Sequence, residues 1–207
     1  MEITQNLKAV YLSAEDINIA SSLLYLAYFD DPFFMDCFQS KLEGYEQRLR
    51  AAIREELLIF WDKSQPMIGI YDEEEHLLAV ACLIEPGSNF GAERFWHWRL
   101  KMMLTTGYVS TRNMIEKEQK IREAILFENY HLLAFIGVHP HHQHHGVGHY
   151  LMQAIDTMIA EHKKTEGVGV LVTVEKYRAF FEHANYKQLK TLSVGQVPCS
   201  LMFKQKQ

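Results

Sequence analysis

Six of the chain's eleven histidines, His139, His141, His142, His144, His145 and His149, crowd into one stretch, LLAFIGVHPHHQHHGVGHYLM. The same stretch carries a Gln-x-x-Gly-x-Gly run from Gln143 to Gly148. Two chemistries compete for it. Histidine is the commonest transition-metal ligand, while a glycine pair that opens a helix can grip a phosphate. Zinc needs three or four side chains converging from a fixed scaffold, usually steadied by carboxylates, and this segment has no Asp, Glu or Cys. His141 and His145 stand four apart, but Pro140 and the approach to Gly146 mark a loop, not a chelating helix face. They read as solvated loop residues, open to adventitious nickel or zinc, and no catalytic metal is assigned.

The glycines read differently. A buried strand, a turn and then Gly146-Val147-Gly148 at the start of an amphipathic helix gather unpaired backbone N–H groups and the positive end of a helix dipole at one point. That is an anion site, where side chains on the glycines would block close approach by a pyrophosphate. A Rossmann fingerprint would want a third glycine where Leu151 stands, and a P-loop would want Gly-Lys-Ser/Thr; neither is present.

The elements around the motif follow from periodicity. YHLLAFIGV is an apolar run of strand length, expected to be buried on both faces. Residues 146–164 repeat apolar positions at helical spacing, with Val147, Leu151, Ala154, Ile155, Met158, Ile159 and His162 on one side. Upstream, KAVYLSAEDINIASSLLYLAYFDDPFF predicts a strand, a Ser13 N-cap with Glu15 and Asp16 behind it, and a helix ending before Pro32. Residues 42–61 predict a second helix and 67–87 a hairpin turning at Asp72–Glu75. Two further helices, interrupted near Gly107, are expected over 90–127. VGVLVTV predicts another buried strand and EKYRAFFEHANY a short helix with Tyr177, Phe180, Phe181 and Ala184 inward. VPCSLMFKQ alternates and predicts a half-exposed last strand.

The chain has 207 residues and a formal net charge of −5, so one well-cored α/β domain over 1–207 is expected, and nucleic acid or an anionic membrane has no electrostatic support as a partner. Three well-separated cysteines in apolar runs suit reduced thiols. No stretch reaches the roughly 18 apolar residues of a membrane span. The expected setting is the cytoplasm, as a monomer or homodimer.

Gln143-His144-His145-Gly146-Val147-Gly148 resembles motif A of the GNAT superfamily of acetyltransferases, Gln/Arg-x-x-Gly-x-Gly/Ala. The likeness extends back through IGVHP and forward through VLVTV and AFFEHANYKQL, and AYFDDPFF and LIEPG are similar to the puromycin N-acetyltransferase-like branch. The resemblance implies a mixed, mostly antiparallel sheet of six to seven strands flanked by helices. It also implies transfer of an acetyl group from acetyl-CoA to a primary amine of a small molecule or peptide. Gln143, His144, His145, Gly146, Val147, Gly148 and His149 would then hold the pyrophosphate, and backbone groups at the end of the fourth strand, Ile136 and Val138, would meet the thioester.

There are departures from the family pattern. His144-His145 stands where relatives often have Gly-Lys, so a fixed positive charge is missing, and Phe181 stands where many have the Tyr that protonates the departing thiolate. Candidates for that acid are Tyr177 and Tyr186, and for the base Glu175, His131 or Glu85. Asp30 and Asp31 either attract a cationic amine or end a helix. A binding or regulatory module that has lost turnover is the alternative to an enzyme.

Overall fold

The structure is a computed structural model that describes residues 6–88 and 107–206. Seven strands form one sheet in the order β1-β2-β3-β4-β5-β7-β6. They are β1 (Lys8–Tyr11), β2 (Met67–Tyr71), β3 (Leu77–Ile84), β4 (Tyr130–Val138), β5 (Gly167–Val172), β6 (Lys187–Val194) and β7 (Val197–Gln205). Every neighbouring pair is antiparallel except β4 and β5. The expected sheet, mixed and mostly antiparallel, is what the chain builds.

The opening turn shows why sequence and structure agree there. Ser13 accepts from the Glu15 N–H, and Asp16 accepts from the Ser13 N–H at 2.7 Å, a reciprocal capping box. A short 3-10 turn (Ala14–Asp16) leads into α1 (Ile17–Tyr28), which buries Ile17, Ala20, Leu23, Leu24 and Tyr25. The Tyr71 hydroxyl also donates to Asp16 at 2.8 Å, tying this corner to β2.

One helix was not expected. Pro32 reads as a terminator, but it is the first residue of α2 (Pro32–Cys37), where its missing N–H costs nothing. Asp31 caps this helix by accepting from Phe33 and Phe34 at 2.9 and 3.1 Å. α3 (Tyr45–Asp62) follows, and α4 (Tyr108–Ala124) is the second of the two helices expected over 90–127, ending three residues short of 127; the first lies outside the described residues. α5 (Val147–Glu161) and the short α6 (Arg178–His183) complete the set.

The sheet separates two main cores, and a smaller cluster of Ile121, Ile125, Leu192, Leu201 and Phe203 joins α4 to β6 and β7. One contains Leu24, Phe33, Phe34, Phe38, Ile53, Phe60 and Phe135 under α1, α2 and α3. The other contains Leu133, Leu151, Ile155, Val170, Phe181 and Tyr186 around α5 and α6. Strand β4, inside the sheet, serves both through alternate side chains, and a bulge resets which residues reach which core. Its register against β3 slips between Cys82 and Leu83, so that Phe135 faces Cys82 while Leu133 faces Leu83. Ala134 is the extra residue, and it shares the α1 face with Phe135, whereas Leu133 and Ile136 pack toward α5.

β7 departs from the half-exposed strand its alternation predicts. Inserted between β5 and β6 and covered on both faces, its residues 199–203 are all buried. Beside the bulge, Gly137 lets α1 settle onto β4. A Cβ there would lie 2.9 Å from that of Ala27 and 3.1 Å from Leu24.

Two stability measurements probe these joints. Gly137→Ala should lower unfolding free energy by about 1–3 kcal/mol in urea titrations, because Ala27 has no flexible end to move aside. Asp16→Asn should cost about 1 kcal/mol at neutral pH. Its hydrogen bonds hold the Asp16 carboxyl below its usual value of 3.8 against the opposing effect of burial. That contribution is full above the ordinary value and is lost as pH falls through the lower folded one, so the wild-type advantage should shrink as pH drops below 3.8.

Candidate functional site

β4 and β5 pair only from Tyr130↔Gly167 to Leu133↔Val170. Beyond the bulge they part, leaving Ala134–Val138 without a partner on the β5 side. β3 binds β4 through Gly137 and, just past the strand, through the His139 N–H to the Leu78 carbonyl at 2.8 Å. Alternation of an antiparallel ladder therefore turns the N–H and C=O of Ile136 and Val138 into the gap. These are two of the residues expected to meet a thioester.

The gap is not left empty of partners. The Tyr28 hydroxyl accepts from the Ile136 N–H at 2.9 Å and donates to the Ile136 carbonyl at 3.0 Å. Burial, above all, raises the Tyr28 pKa, with Asp31, Cys82 and Tyr177 adding to it, so the phenol stays protonated at neutral pH. Three residues on, Asp31 accepts from the Thr173 hydroxyl, just beyond β5. One short corner between α1 and α2 is thus fastened to both arms of the parted strands. Of the two readings of Asp31, the structure gives the helix cap. Burial raises its carboxyl pKa, opposed by its hydrogen bonds from Thr173, Phe33 and Phe34 and by Lys117.

Past β4 the chain turns through Pro140–His142 and a left-handed His144 to Gly146, whose φ is +83°. Gln143 folds back, its side-chain amide donating to the Val138 carbonyl at 3.2 Å. Gly146 is the N-cap of α5 and has no side chain to satisfy the helix's first N–H groups. Among the described residues, the backbone N–H groups of His144, His145 and Gly146 also find no acceptor. These orphan donors meet the start of a 15-residue helix at a solvent-facing rim. A diphosphate fits that donor set.

The two glycines divide the work. A Cβ on Gly146 would stand in open space, so this glycine serves the left-handed turn and keeps the rim clear. A Cβ on Gly148 would point inward, in ordinary contact 3.4 Å from Phe180 and 3.6 Å from Val138, so that glycine lies on the side of the helix packed against β4 and α6. His139 stacks on His141, ring centres 5.4 Å apart, and meets His142 edge to face at 5.6 Å. No three of them bring ligand atoms within 4.8 Å of one another. Burial, then His142 and His141, lower the pKa of His139.

The expected acids and bases scatter. Tyr177 does not face inward as its helical spacing suggests; it is 41% exposed on the turn after β5, within electrostatic reach of Tyr28. Glu175, on the same turn, is exposed and pairs with Arg178 at 3.4 Å. Phe181 and Tyr186 are buried against each other, ring centres 5.4 Å apart. His131 and Glu85 lie at the other end of β4, about 16 Å from Ile136 at 3.3 Å per residue. Tyr28 was missed altogether, since nothing in a sequence links it to a strand edge 108 residues away. On the α3 and α4 side of the parting lies a cavity of about 30 Å³ lined by Glu56, Phe60, Lys117, Leu133, Phe135 and Leu171. That holds roughly two waters, not an acceptor molecule.

No protein-family model matches the chain, and no curated protein matches it by sequence. Solved structures do. It is similar to a histone acetyltransferase HPA2 and related acetyltransferase from Corynebacterium glutamicum, at 13% identity over 97% of both chains with a TM-score of 0.74. Arylalkylamine N-acetyltransferase 2 from Aedes aegypti superposes with a TM-score of 0.65 at 9% identity, over 98% of this chain and all (100%) of the other. A GCN5-related N-acetyltransferase from Rhodopseudomonas palustris gives 0.56 at 14% identity, over 99% and 98%. With its bulged and parted β4, its glycine-capped α5 and these neighbours, the chain has the fold of the GNAT acetyltransferases.

Proposed function

We infer that this protein is an acetyl-CoA-dependent N-acetyltransferase that acts on a primary amine of a small molecule or peptide. The observation that carries the reading is the pairing of orphan N–H groups at the start of α5 with a strand edge turned into the gap beside it. Gln143 to His149 hold the diphosphate, and the Ile136 and Val138 edge receives the thioester arm. Acetyl-CoA supplies an activated acyl group and a thiolate leaving group.

The missing lysine matters less than the backbone. A hydrogen bond to a charged group is worth about 1.5–3 kcal/mol, and several are on offer, whereas an exposed ion pair contributes about 0–1 kcal/mol. In the transfer, the amine nitrogen bonds to the acyl carbon, the C–S bond breaks, the thiolate takes a proton and a base removes one from the amine. Positioning supplies up to about 7–11 kcal/mol of this and a general acid about 10²–10⁴-fold in rate. Phe181 has no acidic proton to give, and its ring is buried in the core. Tyr28 has a protonated hydroxyl at the strand edge and is our choice for the acid, with Tyr177 as the second phenol and Glu175 as the solvent-facing base. Buried free thiols at Cys37, Cys82 and Cys199 suit the reducing cytoplasm. Kinship with the puromycin N-acetyltransferase-like branch rests on AYFDDPFF and LIEPG, and the arylalkylamine relative makes a small aromatic amine a first acceptor to try.

A specific feature favours the alternative of a binding module without turnover: Tyr28 occupies the Ile136 N–H that would polarise the thioester carbonyl.

Calorimetric titration with acetyl-CoA should give micromolar binding, and Gly146→Asp should weaken it more than about 100-fold while circular dichroism stays native, since the new carboxylate stands in open space at the rim and its strain is confined to one left-handed residue, a conformation Asp tolerates better than most. Unchanged affinity in that variant would remove the diphosphate assignment. Tyr28→Phe should lower kcat by about 10²-fold or more with acetyl-CoA affinity kept, and Tyr177→Phe by less. If Tyr28→Phe instead creates or raises turnover, the phenol is a plug and the wild-type chain is the binding module.

A further inference from the structure

The far end of β4 holds a second cluster that acetyl transfer does not use. His131, near the start of β4, is 1% exposed. Its Nδ1 lies 3.0 Å from the Thr165 hydroxyl oxygen, and that hydroxyl donates onward to the Gly167 carbonyl at 2.9 Å. Thr165 has therefore spent its proton, so His131 must be the donor, with its hydrogen on Nδ1 and a bare lone pair on Nε2. That Nε2 is buried and has no hydrogen-bond partner. Nδ1 of His162, at the C-terminal end of α5, is buried and unpartnered as well, and the two rings meet edge to face at 4.8 Å. Glu85, just past β3, completes the group, with one ligand atom from each of the three residues within 4.8 Å of the others.

The geometry points to a site for a divalent transition-metal ion, of the zinc or cobalt kind, bound by Glu85, His131 and His162 with a fourth position open to water. Two imidazoles and one carboxylate are the donor set such ions prefer. Thr165 supplies the outer hydrogen bond that fixes a ligating imidazole's tautomer. Tetrahedral ligands about 2.1 Å from zinc stand about 3.4 Å apart, so the site closes by motion on the order of 1 Å. Glu85 and His162 are only half-buried and can supply it. Burial, then His162 and Lys206, lower the His131 pKa to about 4, so the ring is neutral at pH 7 and has no proton to lose before binding.

The charges around the cluster allow a cation. Lys206 opposes it, but its ammonium is held by the His162 carbonyl at 2.7 Å. Glu161 lies close enough, with Glu85, to raise the pKa of the neighbouring Tyr11, whose largest cause is burial. A metal here would pin the end of α5 to the ends of β3 and β4 where β4 and β5 are still paired.

The test uses untagged protein stripped with a chelator and titrated with cobalt(II), then zinc(II). One equivalent of cobalt should bind with the intense visible bands of a tetrahedral site, give way to zinc, and raise Tm. Glu85→Gln and His162→Gln should each weaken this equivalent by at least tenfold, and Thr165→Val, which removes no ligand, by about 10–100-fold. The double variant His141→Asn/His145→Asn should keep it, setting it apart from adventitious binding in the histidine-rich loop. Full affinity in folded Glu85→Gln and His162→Gln, loss in the loop variant, or no such equivalent in folded wild-type protein would each overturn the proposal.

Discussion

The parting of β4 from β5 is the constraint on which the rest of the structure hangs. A parallel pair that ran its full length would bury every main-chain group of β4 in ladders. Here four residue pairs are made and then the ladder stops. The bulge at Ala134 is what turns the strand, and it also sets which side chains reach which core: Phe135 joins the aromatic packing with Tyr28 and Phe34, while Leu133 stays with α5. Once the strands diverge, the main chain of Ile136 and Val138 that β5 leaves to side-chain partners and the orphan N–H groups of α5 come to lie on the same side. The site follows from a failure of pairing, and no single residue creates it.

Local devices were legible in the sequence. The Ser13–Asp16 box, the hairpin at Asp72–Glu75 and the glycine-opened α5 each depend on residues within a few positions of one another, so their signals survive in a short window. What the sequence hid was non-local. β7 alternates as a half-exposed strand does, yet sits in the sheet interior because β6 folds over its far side. Asp31 and Pro32 looked like an ending and are a beginning, because a proline's missing N–H is equally tolerable on either side of a helix gap. Tyr177 fell on an inward phase of a helix that begins only after it, at Arg178. Tyr28 and His131 acquire their meaning only from partners far along the chain.

Gly146 and Gly148 show how one motif can carry two physical demands. The spacing alone suggests two residues doing the same thing for one ligand. The first has a positive φ and open space around it, so its demand is conformational and external. The second is helical and faces Phe180 and Val138, where a Cβ would make ordinary contact, so it lies on the packed side of the helix and not at the rim.

The hydrogen bonds of Tyr28 also bear on how the chain meets other molecules. A strand that leaves its neighbour presents a row of free N–H and C=O groups, which is a template for a strand from another molecule. Tyr28 fills both groups of Ile136 with a single hydroxyl, and Gln143 fills the carbonyl of Val138. Any route to a reactive strand edge must open a gap in the sheet. This chain keeps the gap and closes most of its hydrogen-bonding face with two side chains, so that the edge is shielded from self-association until something displaces them.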